Sequence, residues 1–287
     1  MKISKFLKYN TAVLLGTAAI MVCSCTPEDD SLSLGQPEEA SFTVSPIPGE
    51  PNFFKVEDTT PNSFITYWNI GKGFEKGEKV DTLFLPDKEM YEISVMAVSA
   101  GGRDISDIKT IEVLTADPAA GNLVKGAKMD KDAFDYWTKF FISSDKKVDF
   151  SLKEGHMVAS GGGQGHAGIY QPIEVEANKT YNLSVYLSGK GATDVWLEVY
   201  MGDVEPEEGV EYKDGGNLMG LNTWSNCGNS PFSGNLAVIG CSGSLIGKKG
   251  EIEFETGGTK YLVIRTGGAS MGEGGISIDE VEFRGTR

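Results

Sequence analysis

Residues 180–202, TYNLSVYLSGKGATDVWLEVYMG, constrain the fold more tightly than any other stretch of this chain. Side chains along a strand point alternately to opposite faces. Tyr181, Leu183, Val185 and Leu187 therefore share one face, and Asn182, Ser184, Tyr186 and Ser188 the other. Past Gly189 and Gly191 the pattern resumes, with Val195, Leu197, Val199 and Met201 alternating with Trp196, Glu198 and Tyr200. Two strands that each carry a wholly apolar face must bury it against another layer. Their second faces mix aromatic rings with polar groups.

The same signal recurs along most of the chain. Short alternating runs are separated by clusters of Gly, Asn, Asp and Ser, and 37 glycines supply the turns. No amphipathic helix pattern of useful length appears, so the expectation is an all-β protein. A length of 287 residues suits about two domains. The formal net charge is −15. Without the first 24 residues it is about −18. Such a surface repels phosphate backbones, and no basic patch with interleaved aromatics is present, so nucleic acid is not an expected partner.

The N-terminus reads as an address. Lys2, Lys5 and Lys8 precede an apolar run over residues 11–22, too short to span a bilayer and suited to a signal peptide over residues 1–24. It ends in Val22, Cys23, Ser24 and Cys25, which resembles a bacterial lipobox, with Cys25 the lipidated residue. Ordinary signal cleavage near Ser24 is the alternative. Thr26, Pro27, Glu28, Asp29 and Asp30 follow, an acidic run resembling the surface-export signal of Bacteroidota lipoproteins; its other reading is a solvated linker. Residues 25–39 form an acidic tether on this reading, and the lipid is the only membrane anchor.

Residues 40–116 hold five strand-like runs and suit a small β-sandwich. Trp68, Asn69, Ile70, Gly71, Lys72 and Gly73, with the later run from Tyr91 to Gly102, resemble the pattern of PKD Ig-like domains, with both motif aspartates lost. Trp68 ends an alternating strand and is expected in the core. The resemblance implies a spacer. A linker at residues 117–121 leads to residues 122–287, where about ten strand-like runs suit a jelly roll. The opening Asn122, Leu123, Val124, Lys125 and Gly126, the strand around Trp137, the run from Ile169 to Tyr181 and the closing run from Gly275 to Val281 resemble carbohydrate-binding modules of the galactose-binding-like type. That resemblance implies a glycan-binding jelly roll and makes Asp279 the position matching a structural calcium ligand. Alternation breaks around Glu280, which suggests a bulge there.

Between residues 202 and 248 the strand pattern lapses into a long loop that would display Tyr212, Trp224 and Phe232. Cys227 and Cys241, in an exported chain, are expected to pair as a disulfide, with two free thiols the alternative. His156 and His166 have no ligand spacing for zinc.

Gly163, Gly165 and Gly168 match a dinucleotide-binding spacing, but alternating Ile169, Gln171 and Ile173 follow where that motif needs a helix. No nucleophile elbow is present. With 41 acidic residues, a carboxylate pair for glycoside hydrolysis stays open.

Trp and Tyr faces bind the flat C–H patches of sugars, while neighbouring polar groups take the hydroxyls. Trp196, Glu198, Tyr200 and Tyr186 supply both kinds on one face if their strands are neighbours, and Trp224 and Tyr212 would extend it. Tyr170, Gln171 and Arg265 are further candidates. The alternative is that these aromatics are core or loop anchors. The whole arrangement resembles a surface glycan-binding lipoprotein of a starch-utilisation-type system of Bacteroidota. It implies a non-catalytic outer-membrane protein that holds a polysaccharide or oligosaccharide beside a glycan importer complex. A structural or adhesive envelope protein that binds a protein partner, and a glycoside hydrolase, are the alternatives.

Overall fold

The computed structural model describes residues 34–287. The expected signal peptide, Cys25 and the tether up to residue 33 lie outside the described residues. Among the described residues no helix is long and apolar enough to cross a membrane. The protein is all-β.

Eight strands come first: β1 (Phe42–Ile47), β2 (Glu50–Asp58), β3 (Ile65–Asn69), β4 (Phe74–Gly77), β5 (Val80–Phe84), β6 (Met90–Ser99), β7 (Gly102–Ile105) and β8 (Lys109–Glu112). They form two sheets, β1-β2-β5 and β4-β3-β6-β7, with β8 also on β6. Alternate residues of these strands meet in one core that includes Phe42, Val56, Trp68, Ile93 and Val95. Trp68 is buried there as expected, edge-on to Phe42, and donates its indole N–H to the Glu78 carbonyl. What remains of the motif after Trp68 shapes a turn: the Asn69 side chain accepts from the Gly71 and Gly73 amides.

Ten strands follow: β9 (Thr138–Phe141), β10 (Val148–Lys153), β11 (His156–Val175), β12 (Thr180–Gly189), β13 (Thr193–Gly202), β14 (Asn217–Asn222), β15 (Phe232–Asn235), β16 (Glu251–Glu253), β17 (Gly258–Ser270) and β18 (Ile276–Gly285). A single-turn helix, α1 (Leu236–Ile239), follows β15. The first half of β11 pairs with β10 and β18, and β18 with β12, whose far edge carries β15 and β16. The second half of β11 pairs with β9 and β17, and β17 with β13, which carries β14. One 20-residue strand thus runs through both layers of a sandwich. We call the β14-β13-β17-β11-β9 layer the front sheet and the β10-β11-β18-β12 layer the back sheet.

The glycine run explains how β11 changes layer. Its register against β17 slips between Gly162 and Gly165, and Gly161, Gly163 and Gln164 have positive φ. The corner brings Gly161 against the Lys147 carbonyl, where any Cβ would collide. These glycines therefore turn a strand from one sheet to the other and do not form a nucleotide loop.

Tyr181, Leu183, Val185 and Leu187 face Val195, Leu197, Val199 and Met201 within one core, with Trp137 also buried there. The break in alternation near Glu280 is a bulge. Asp279 opposes Tyr186 and Glu282 opposes Ser184, with Glu280 at φ 42°. The long lapse after residue 202 is shorter than expected, because β14, β15 and α1 lie inside it.

The two cores meet across polar contacts. Arg284 grips Asp87 with both terminal nitrogens, at 2.8 and 2.6 Å, and the Asn122 amide donates to the same carboxylate at 2.7 Å. Lys72–Glu282 and Lys128–Glu89 ion pairs flank it. Arg287 pairs with Asp117 and lies over the rings of Phe53 and Phe84.

Candidate functional site

The front sheet has a second, smaller cluster on its outer face, and the cross-strand register builds it row by row. One row runs His166, Gly267, Trp196 and Asn222 across β11, β17, β13 and β14. The next runs Phe140, Gly168, Arg265, Glu198 and Gly220 from β9 to β14. A third aligns Tyr170, Val263 and Tyr200. Glycine at Gly267 and Gly168 leaves room for rings. A Cβ at Gly267 would press on His166 and stand 2.8 Å from Trp196 Cζ2; one at Gly168 would stand 2.6 Å from Phe140 Cζ.

Arg265 is the centre of this face and is only 5% exposed. Its guanidinium lies 4.6 Å from the Trp196 ring centroid and 4.7 Å from that of Tyr200. Nη2 donates to Glu198 Oε2 and to the Tyr200 hydroxyl, both at 2.8 Å, and Nη1 donates to Glu211. Its Nε is buried and meets no acceptor among the described residues. Burial by itself disfavours the Arg265 cation, but Tyr200 and the two carboxylates hold it above its ordinary range. Burial, reinforced by the hydrogen bond to Glu198, pushes the Tyr200 phenol up to about 12.

Residues 203–216 fold over part of this face through their acids. Glu205 accepts from the Tyr170 hydroxyl at 2.8 Å, Glu208 from the Phe141 amide at 3.0 Å, and Glu211 binds both Arg265 and His166, the latter at 2.7 Å. Tyr212 lies edge-on to Tyr200, with centroids 5.9 Å apart. The open end is the first row, where Trp196 is half-buried and roughly perpendicular to the His166 ring, with centroids 5.1 Å apart. Trp224, two residues beyond Asn222, is 58% exposed, and its amide is held by the Asn222 side chain.

The structure separates residues that the sequence placed together. Tyr186 is not on the face of Trp196. β12 and β13 follow one another but lie in opposite sheets, because β12 has both edges taken by β18, β15 and β16, and β13 by β17 and β14. Their apolar faces meet inside, so Trp196, Glu198 and Tyr200 point outward on one side and Tyr186 on the other. Tyr186 is 39% exposed and hydrogen-bonds Ser233. Tyr200 and Tyr212 are buried in the small outer cluster, not displayed. The Tyr212 hydroxyl lies beside the Gly202 main chain without a partner in hydrogen-bond geometry. Tyr170 is buried, and Gln171 is occupied by the Lys125 main chain on the inner side.

Asp279, the position matched to a calcium ligand, pairs with His156 at 2.9 Å, and among the described residues there is no group of three or more His, Cys, Asp or Glu side chains placed to hold a metal ion. Cys227 and Cys241 are free thiols, the first buried and the second exposed, and not the disulfide expected. They nonetheless approach one another around Asn222, whose carbonyl accepts from the Cys227 amide and the Cys241 thiol. Burial first, then contact with Cys241, pushes the Cys227 thiol up to about 11.

His166 and Glu211 are the residues that sequence reasoning missed. They lie 45 positions apart. Only the register of β11 and the fold of the acidic loop bring them together.

No protein-family model matches the chain, and no curated protein matches it. Solved structures that resemble it do so distantly. The enzymatically active domain of bacteriophage CBA120 tailspike protein 4 aligns with 14% identity and a TM-score of 0.37, over 57% of this chain and 21% of that one. A structure from a study of promiscuous specificity in carbohydrate-binding modules of the β-sandwich superfamily aligns with 13% identity and a TM-score of 0.33, over 87% of this chain and 98% of that one. A CBM22 tandem from Paenibacillus barcinonensis Xyn10C aligns with 11% identity and a TM-score of 0.35, over 86% and 91%.

Proposed function

We propose that the protein binds a polysaccharide or oligosaccharide on the outer face of its front sheet, without cleaving it. The observation that carries this reading is the half-buried Trp196 ring, backed by Arg265 and bordered by Glu198, Glu211, His166 and Asn222. A ring with hydrogen-bonding groups beside it suits one sugar face and its hydroxyls. Trp224 would add a second contact beyond the sheet edge. On this reading Cys25 carries the lipid, residues 40–116 act as a PKD-like spacer, and the front sheet presents glycan to an outer-membrane importer complex. Weak single-site binding then gains from many copies on one surface.

Native gel electrophoresis through a panel of plant, algal and host polysaccharides tests the reading. Retardation by a polymer, lost in a folded Trp196→Ala variant, supports it; free migration through every gel removes it.

One observation favours glycoside hydrolysis as a second reading. Glu198 and Glu211 come from distant segments to meet on one guanidinium. A hydrolase needs two carboxyls facing a bond, whereas these two are engaged by Arg265. Release of new reducing ends from a retarding polymer, abolished by Glu211→Gln, would establish it.

A further inference from the structure

We propose that the ligand of the front face is an uncharged glycan, and that chains bearing uronate or sulfate groups are turned away. This rests on the glycan-binding reading above and names the ligand class it would take.

Three observations point the same way. First, the cation of the site is already used. Arg265 holds Glu198 on one side and Glu211 on the other, and the one guanidinium nitrogen left over, Nε, is enclosed. An incoming carboxylate or sulfate finds no accessible donor fork there, which is what arginine supplies where anions are recognised.

Second, the open edge presents acceptors. The Glu211 side chain is 38% exposed, with one oxygen accepting from Arg265 and the other from His166. Glu198 oxygens accept from Arg265, Tyr200 and the Asn217 amide. Ionised carboxylates accept hydrogen bonds and cannot donate them. Sugar hydroxyls can supply the donors; a uronate or sulfate group cannot.

Third, the segment covering the face is acidic. Residues 203–216 carry six acids and one lysine, Lys213. The nearby Lys260 is committed to Asp203 at 2.5 Å. The chain as a whole carries −15. An anionic residue brought within a few ångströms of an unneutralised carboxylate loses roughly fivefold in affinity even at the dielectric of water. Several such residues on one polymer multiply the loss at low ionic strength, and salt screens it.

Matched pairs of polymers test the inference: methyl-esterified against de-esterified homogalacturonan, hydroxyethyl- against carboxymethyl-cellulose, and laminarin against sulfated laminarin. The purified protein is run by affinity electrophoresis and titration calorimetry on each pair, at low and high salt. The expected result is binding to the neutral member of at least one pair, with its charged counterpart about tenfold weaker or more at low salt. The gap should narrow as salt rises, and narrow likewise in Glu207→Lys, a loop position outside the ring cluster, with neutral binding unchanged. Charged members that bind as well as or better than neutral ones would overturn the inference while leaving glycan binding standing. Binding to no member of any pair and to no polymer of the wider panel would remove the glycan reading and this inference with it.

Discussion

Arg265 and Trp196 sit on neighbouring strands with the guanidinium carbon 4.6 Å from the indole centroid. The cation is enclosed, yet two carboxylates and a phenol answer it. Removing it would leave Glu198 and Glu211 side by side without a counter-charge. Arg265→Met is expected to cost about 3 kcal/mol of stability, because breaking a buried ion pair strands its partners. Arg265→Lys should recover less than half of that, since one ammonium cannot serve both carboxylates with a planar fork. Chemical denaturation of the three proteins measures both.

Gly267 pairs with both His166 and Trp196, and its lack of a side chain lets their rings meet. A methyl group there must displace at least one of them, with Trp196 Cζ2 at 2.8 Å. Gly267→Ala should therefore weaken glycan binding tenfold or so, while stability falls by about 1 to 2 kcal/mol, in the range for local overpacking. Calorimetry and thermal melts on the same preparation separate the two effects.

At the junction of the two cores, burial alone would raise the Asp87 carboxyl, but Arg284 and the Asn122 amide outweigh it and hold it below the ordinary 3.8. A carboxyl depressed by folding contributes stability above its unfolded value and loses it as pH falls through the folded one. The junction should thus be intact at neutral pH and loosen below about pH 4. Asp87→Asn at neutral pH should reproduce the loosening, at about 2 kcal/mol for a charge-assisted pair. Amide exchange at the Asn122 and Leu123 N–H groups reads it out.

Cys227 should resist alkylation. Its thiol is buried and pushed up to about 11, and the thiolate is the reactive form. At pH 8 a maleimide should label exposed Cys241, and Cys227 only after unfolding. Mass spectrometry of the peptides that carry these two cysteines reads the labels; neither labelled before reduction and both after would show a disulfide instead.

The interior of the fold was legible in the sequence wherever alternation was unbroken. The eight apolar residues of β12 and β13 face inward as read, Trp68 is core, and the faltering pattern at Glu280 is a bulge. Sheet membership was not legible, because alternation says which residues share a face of one strand and nothing about which strands are neighbours. That is why Tyr186 parted from Trp196. The glycines of residues 161–165, whose spacing mimics a nucleotide loop, are a corner within one strand, since a glycine with φ > 0 serves either purpose. Arg265 was visible as a candidate but not as a centre. Its importance comes from Glu211, which reaches both Arg265 and His166 through a loop fold that leaves no periodic trace. Tyr212 was expected on display because loops are exposed, whereas this loop buries its one large ring against Tyr200.

The most direct test of the account compares the two outer faces. Trp196→Ala and Tyr186→Ala are made in the same protein, checked for fold by circular dichroism, and titrated with the polymer that retards the parent. Binding should be lost in Trp196→Ala and kept within about twofold in Tyr186→Ala, as ring–sugar stacking is local to one face. Loss in Tyr186→Ala with binding kept in Trp196→Ala would place the site on the back sheet and contradict the account.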